Sequence, residues 1–507
     1  MPGTDTDDVA LHEVAVGALP TERFATVLDP VAYDELLATR ERAGTLLAGR
    51  TVWCVSSTET GGGVAEMLRS LLAYTRGAGV DSRWCVVRAP AAFFVDTKQI
   101  HNWLHGSPLP DGRPGPELRD RYRRVTEAAA ALLAPLLRPD DVVILHDPQT
   151  LGMARTLSQT GARIIWRSHI GVDRPNGAVR AAWELLSPHL AYVDTCVFSR
   201  ERFVWTGLEG CEVAIVPPSI DVFSAKNQDL ERDEVAAILQ AAGVVSGEGP
   251  SARFVREDGT PGRVVRRAQM IEEAPLRLED RIVTQVSRWD RLKDPLGVLQ
   301  GFADHVGETG HAHLLLVGPD VAGVHDDPEG ALVLAQVTDA WRGLPDAARG
   351  RIHLATLPMA DAEENGAIVN AIQRHATVVV QKSLAEGFGL TVTEAAWKGR
   401  PIVASGVGGI QDQVVDRVTG LLVAPHNLAA FGHAVVRLLT DERLARRLGT
   451  AARERVRDHF LEPRHLRQWL EIIQRLPTTP RTSPAPASPA APGRHRPAAG
   501  DPRSAGG

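Results

Sequence analysis

Cysteine is scarce. Cys54, Cys85, Cys196 and Cys211 are the only four in 507 residues, and no two form a CxxC pair. That spacing argues against a zinc ribbon or a dithiol redox motif. Three of the four lie in or beside apolar runs, so they read as reduced packing thiols. An excess of one charge is also missing: 56 Lys and Arg face 62 Asp and Glu, a formal net charge of -6. The signs are mixed along the chain, which excludes the broad cationic face that bulk attraction to nucleic acid or an anionic membrane requires. No window is apolar for long enough to span a bilayer, and the opening MPGTDTDDVALHEV has neither a basic n-region nor an apolar h-region. A cytoplasmic protein without membrane or nucleic-acid partners is expected. No tandem repeat of fixed period is present. The dinucleotide fingerprint GxGxxG is absent too, because Glu66 stands where its third glycine belongs, which weighs against an NAD-dependent dehydrogenase.

What is present is alternation. From Thr51 onward, short runs rich in Val, Ile and Leu alternate with stretches of helical period, the pattern of repeated βα units around parallel sheets. Strands are expected at 51–56, 83–87, 142–146, 163–168, 193–198 and 214–216, with helices such as 64–76 and 117–137 between them. Pro217 and Pro218 interrupt the series, and 244–267 is polar, contains glycine and has no clear period. A second series follows at 281–286, 313–317, 352–355, 376–380, 401–404 and 420–423. The fold class is therefore α/β, with two Rossmann-like doubly wound domains facing a central cleft. The expected division is 1–220 for an N-terminal acceptor domain with an extension, 221–280 for an interdomain segment and insertion, and 281–455 for a C-terminal donor domain. A C-terminal helix over 456–476 and a disordered Pro/Ala-rich tail over 477–507 complete it. The amphipathic stretch 31–47 should pack on the first domain, and the proline segment between domains is a candidate hinge.

Three constellations carry chemistry. In SLAEGFGLTVTEAAWKGRP, Glu386 and Glu394 flank the turn Gly387-Phe388-Gly389 just after an apolar run. Such a turn aims backbone N–H groups and a helix N-terminus at an anion, while two carboxylates accept from sugar hydroxyls. In QVSRWDRLKDP, Arg288 and Lys293 follow a strand and precede a helix that Pro295 can start. Either cation alone reads equally well as solvated surface charge; beside the glutamate pair they suit a departing diphosphate. In VSSTETGGGVAEML, Gly61, Gly62 and Gly63 separate the first strand from a helix, as a tight turn or as a loop that lets backbone approach a phosphate or sugar. His146 and His169 end expected strands, where open α/β sheets collect ligands, although packing histidines occur there as well. Trp166, Trp289, Phe388 and Trp397 could stack on a sugar, but aromatics in such positions are more often core.

Together the stretches SSTETGGGVAEML, HDPQ, WRSHIG, QVSRWDRLKDPLGV and EGFGLTVTEAAWKGRPIVASGVGGI, spread over residues 50–425, resemble the GT-B glycosyltransferases of family 4, and within them the trehalose-forming glycosyltransferring synthases. The resemblance implies a retaining hexosyltransferase that joins glucose from an NDP-glucose (UDP- or ADP-glucose) to free glucose, giving trehalose, with no metal or other cofactor required. It implies that Glu394 holds the nucleotide ribose, Glu386 the donor sugar, Arg288 and Lys293 the diphosphate, and that His169 lies near the reacting carbon. Gly61–Gly63 and Gly387, Phe388, Gly389, Leu390 and Thr391 would close round phosphate and sugar, and His146, Asp147 and Asp173 would face the acceptor. The partners implied are a nucleotide-sugar and a small sugar, with a homodimer left open. A trehalose phosphorylase using phosphate, and a non-catalytic nucleotide-sugar sensor, are the alternatives.

Overall fold

The computed structural model describes residues 8–59, 62–108, 113–205, 207–208, 211–247, 249, 251–307, 309–321 and 328–477. Gly61 and the tail expected beyond Pro477 lie outside these. Two seven-stranded sheets dominate. The first contains β1 (Ala10–Val14), β2 (Thr51–Ser56), β3 (Asp81–Arg88), β4 (Val142–His146), β5 (Arg163–Ser168), β6 (Thr195–Phe198) and β7 (Glu212–Ile215), in the order β1-β3-β2-β4-β5-β6-β7. A small hairpin, β8 (Arg253–Val255) and β9 (Pro261–Arg263), precedes the second sheet. That sheet contains β10 (Gln269–Ile271), β11 (Arg281–Val286), β12 (Ala312–Pro319), β13 (Ile352–Leu357), β14 (Val378–Gln381), β15 (Ile402–Ser405) and β16 (Leu421–Val423), ordered β10-β13-β12-β11-β14-β15-β16.

Each sheet is parallel except for one antiparallel edge strand, β1 on β3 and β10 on β13. Helices cover both faces, so the inner strands are buried throughout: every residue of β2, β4 and β5 is inaccessible. This is why they read as continuous apolar runs and not as alternating ones. In both sheets the order reverses once, between β2 and β4 in the first and between β11 and β14 in the second. A reversal of this kind leaves a crevice beyond the strands' carboxyl ends, where ligands of open α/β sheets bind.

The described residues of 244–267 fold onto the second sheet, although the segment has no clear period. Val244, Val245, Ala252, Phe254 and Val264 are buried with Ile282, Val286, Ala367 and Ile368 against the second sheet. Arg256 fastens the hairpin to Asp361 at 2.7 Å and to Glu363 at 2.8 Å. The partners lie about a hundred residues away in sequence, so no local pattern announces them.

The chain then crosses back. Helix Glu442–His459 packs on the second half, whereas helix Glu462–Arg475 puts Trp469, Ile472 and Ile473 against Val52, Cys54 and Leu68 of the first. Where the two crossings run side by side, the Ile220 amide donates to the Phe460 carbonyl (2.9 Å), and Arg464 donates to the carbonyls of Pro217 (2.7 Å) and Pro218 (2.8 Å). Helix Pro30–Leu46, which covers nearly all of the expected stretch 31–47, packs on this returning helix and on the first sheet's helical layer. No helix among the described residues is long and apolar enough to cross a membrane. The four cysteines are free thiols; burial pushes Cys54 up to about 12 and Cys85 up to about 11.

Candidate active site

The two switch points carry the residues singled out above. After β11 the chain makes a short turn at Arg291–Lys293, capped by the Asp290 carboxylate, and starts helix Pro295–His305 from Asp294, whose φ of 50° is left-handed. Lys382, almost fully buried, pairs with Asp294, and the Gln285 side chain donates to the Lys293 carbonyl at 2.9 Å. Thus the Lys293 backbone is fixed from two sides. Its ammonium forms an ion pair with Glu386, which also accepts from the Ser383 hydroxyl at 3.2 Å. Arg288 stays half-exposed at the mouth of the same loop, 3.3 Å from Asp290.

Beyond β14, Gly389 takes φ 89° and caps helix Leu390–Trp397, with no side-chain cap bond to its first N–H groups. A side chain on Gly387 would sit 3.1 Å from the carbonyl oxygen of His169, so glycine allows the two halves to meet here. Glu394 lies one turn into that helix and is buried. One of its oxygens is 3.4 Å from Lys226, while the other has no partner among the described residues. Burial raises the carboxyl above its usual range, and Lys226 opposes the shift. A buried carboxylate oxygen without a donor is costly unless a ligand supplies one.

On the facing half, β4 ends in His146 and His169 follows β5; their rings stack with Nδ1 of the first 3.1 Å from Nε2 of the second. Burial, reinforced by Arg167, pushes His146 down to about 3; burial also holds His169 well below its ordinary value, so both are neutral. Asp147, at φ 61°, accepts from the His169 amide at 2.8 Å, and its own carbonyl accepts from the Trp166 indole at 3.0 Å. Burial raises Asp147 to about 7. Gly63 opens helix Gly63–Gly77, and a side chain there would meet Leu390 of the facing helix at 2.9 Å.

Asp173 is engaged differently from its expected neighbours. Arg200 donates to one of its oxygens at 2.7 Å, while the Gly408 amide (3.2 Å) and the Gln411 side chain (2.8 Å) reach the other from the second half. The same guanidinium lies 2.9 Å from Asp412. Asp173 and Arg200 therefore form a latch across the cleft. Trp166, Trp289, Phe388 and Trp397 are all buried, as core and not as stacking platforms.

Sequence reasoning missed His101 and His105, whose tilted rings lie with centroids 4.7 Å apart at the end of helix Ala91–Leu104. Burial pushes His105 down to about 4, with Glu386 opposing and Lys293 adding, which places its ring in the field of that ion pair. Its Nδ1 is buried without a partner among the described residues. Two histidines four apart share a helix face, a signal available in the sequence.

The family model described as "Trehalose synthase, N-terminal domain" matches residues 54–205, and that described as "Glycosyl transferases group 1" matches residues 361–455. Trehalose synthase from Pyrococcus horikoshii is 33% identical over 466 residues, covering 92% of this chain and 99% of that protein. The Rubrobacter xylanophilus trehalose synthase is 34% identical over 470 residues, covering 92% and 99%. Among solved structures, the UDP-forming trehalose-phosphate synthase from Burkholderia xenovorans in complex with glucose-6-phosphate aligns with TM-score 0.60 at 15% identity, over 84% of this chain and 100% of that one.

Proposed function

The chain belongs to the trehalose synthases of GT-B glycosyltransferase family 4, and from that premise we propose that it is a retaining glucosyltransferase moving glucose from an NDP-glucose onto free glucose to form trehalose. The observation that carries this is the Lys293–Glu386 ion pair at the second sheet's switch point, with the unpartnered oxygen of Glu394 one turn further on. A diphosphate entering here meets Lys293, Arg288 and the N-terminus of helix Leu390–Trp397. It would draw Lys293 from Glu386 and free that carboxylate for the sugar's hydroxyls. The ribose diol would supply the donor that Glu394 lacks.

Cleavage of the donor builds negative charge on the leaving phosphate, and preorganised positive groups lower that barrier. The acceptor hydroxyl approaches from the leaving group's side, and a phosphate oxygen takes its proton as the bond to the anomeric carbon breaks, so no protein nucleophile is needed. Neutral His146 and His169 can exchange hydrogen bonds with hydroxyls without attracting the anion. The Asp173–Arg200–Asp412 latch holds the halves together while water is excluded, which matters because hydrolysis competes with transfer. Lys293, Arg288 and the helix end offset the diphosphate charge, so a metal is not required by charge balance.

Product analysis tests this. Purified protein with UDP- or ADP-glucose plus glucose should yield a non-reducing disaccharide with both anomeric centres α. Trehalose converted to glucose 1-phosphate only when phosphate is supplied would establish the phosphorylase instead. Binding of nucleotide-sugars without turnover across several acceptors would establish the sensor.

A further inference from the structure

Two of the four cysteines meet. The Sγ atoms of Cys196 and Cys211 lie 2.7 Å apart, between the length of an S–S bond, about 2.04 Å, and the ordinary contact of two sulfurs. Cys196 is buried within β6, while Cys211 is half-buried one residue ahead of β7. The second thiol is held in place: the Cys211 amide donates to the Leu208 carbonyl at 3.0 Å, and its sulfur lies 3.8 Å from the Val193 carbonyl oxygen. Positions 15 apart in sequence are thus joined where β7 ends the strand order beside β6, with Glu212 and Val213 exposed. Both sulfurs sit toward the amino ends of their strands, opposite the crevice, so the site stands apart from the donor reading.

Cys54 and Cys85 supply the contrast. They too occupy neighbouring strands, but the register sets Cys54 opposite Trp84 and Val55 opposite Cys85, so the two side chains point to opposite faces of the sheet. Each lies in a different core, and burial pushes their thiols up to about 12 and about 11, which leaves little thiolate near neutral pH. Packing accounts for that pair. It does not account for two sulfurs held inside contact distance, one of them half-buried.

We propose that Cys196 and Cys211 form a reversible disulfide in response to a peroxide, and that the bond staples edge strand β7 to β6. The Cys211 thiolate attacks one peroxide oxygen: an S–O bond forms, the O–O bond breaks, and the departing hydroxide takes a proton as water. Cys196 then gives up its proton and attacks the Cys211 sulfur; the S–S bond forms, the S–O bond breaks, and a second water leaves. In all the two thiols lose two electrons and two protons, and hydrogen peroxide is reduced to two waters. A small dithiol reverses the change by exchange and is itself oxidised. In a reducing compartment the pair rests as two thiols. The bond needs only about 0.7 Å of further approach, so the strands keep their register. Because β7 leads into Pro217 and Pro218, whose carbonyls accept from Arg464, tying its start opposes peeling of the edge.

Trypsin cleaves after Arg200 and Arg202, between the two cysteines, which makes the bond readable by mass. Wild type treated with hydrogen peroxide, alkylated and digested without reductant should give peptides 181–200 and 203–226 joined to each other, and dithiothreitol should separate them. Cys54 and Cys85 should still be alkylated once the oxidised protein is unfolded. Oxidised wild type should melt about 4 °C above the reduced protein, a shift absent in Cys211→Ser. In Cys196→Ser, which lacks the resolving thiol, Cys211 should run on to the sulfinic acid. Peptides that stay separate after peroxide, or a link from either one to Cys54, Cys85 or a second chain, overturn the disulfide. A joined pair that leaves the melting temperature unchanged overturns the stapling of β7.

Discussion

At the second sheet's switch point the groups are charged and compensated: Lys293 with Glu386, Lys382 with Asp294, Arg288 with Asp290. At the first sheet's switch point they are buried or half-buried and close to neutral, with His146 and His169 uncharged and Asp147 poised near pH 7. Under the proposed function the same topology would serve two kinds of ligand. A diphosphate needs fixed charge that it can recruit, whereas a neutral sugar needs hydrogen-bond partners without a strong field. The proposed placing of donor and acceptor on opposite halves follows this contrast.

The largest expected effect is on the charged side. Lys293→Ala removes one preorganised positive group, worth about 3 kcal/mol, and should lower kcat about a hundredfold with a smaller change in the glucose KM. Single-turnover kinetics would check it, and an equal loss in glucose affinity would erase the distinction between the halves. Next is Asp147. Its carboxyl is raised by burial, so the proton is retained below about pH 7 and the acceptor-side oxygen becomes a full acceptor only above it. The wild-type rate should therefore rise with pH through neutrality, and Asp147→Asn should flatten that limb and lower turnover about tenfold.

A smaller effect is expected at the latch. Lysine reproduces the charge of Arg200 but not its fork to Asp173 and Asp412. Arg200→Lys should loosen closure and raise the ratio of free glucose released to disaccharide formed a few-fold, read by product chromatography. The smallest is Gly387→Ala. The added methyl lies 3.1 Å from the His169 carbonyl, so a shift of a few tenths of an ångström accommodates it. The donor KM should change by no more than about threefold.

Most of the sheets could be read in advance because their strands are buried on both faces: 51–56, 142–146, 163–168 and 281–286 match the observed limits of β2, β4, β5 and β11. The edge strands β1 and β10 were not visible, since each is short, largely exposed and defined by an antiparallel partner far along the chain. The hairpin Arg253–Arg263 was hidden because its strands are three residues each, with a single buried residue in each. Of the proposed site, residues next to strand ends or glycine turns could be nominated from the sequence, because local pattern marks those turns. Lys226, Arg200 and Asp412 could not, because each acquires its meaning from a partner more than 150 residues away or on the other half.

The most direct test of the donor assignment is calorimetric titration of UDP and ADP into wild type, Lys293→Ala and Glu394→Gln. Wild type should bind at least one of the two nucleotides, and each substitution should weaken that binding about tenfold or more. Undiminished binding in both variants would contradict the placement of the nucleotide diphosphate at the second sheet's switch point.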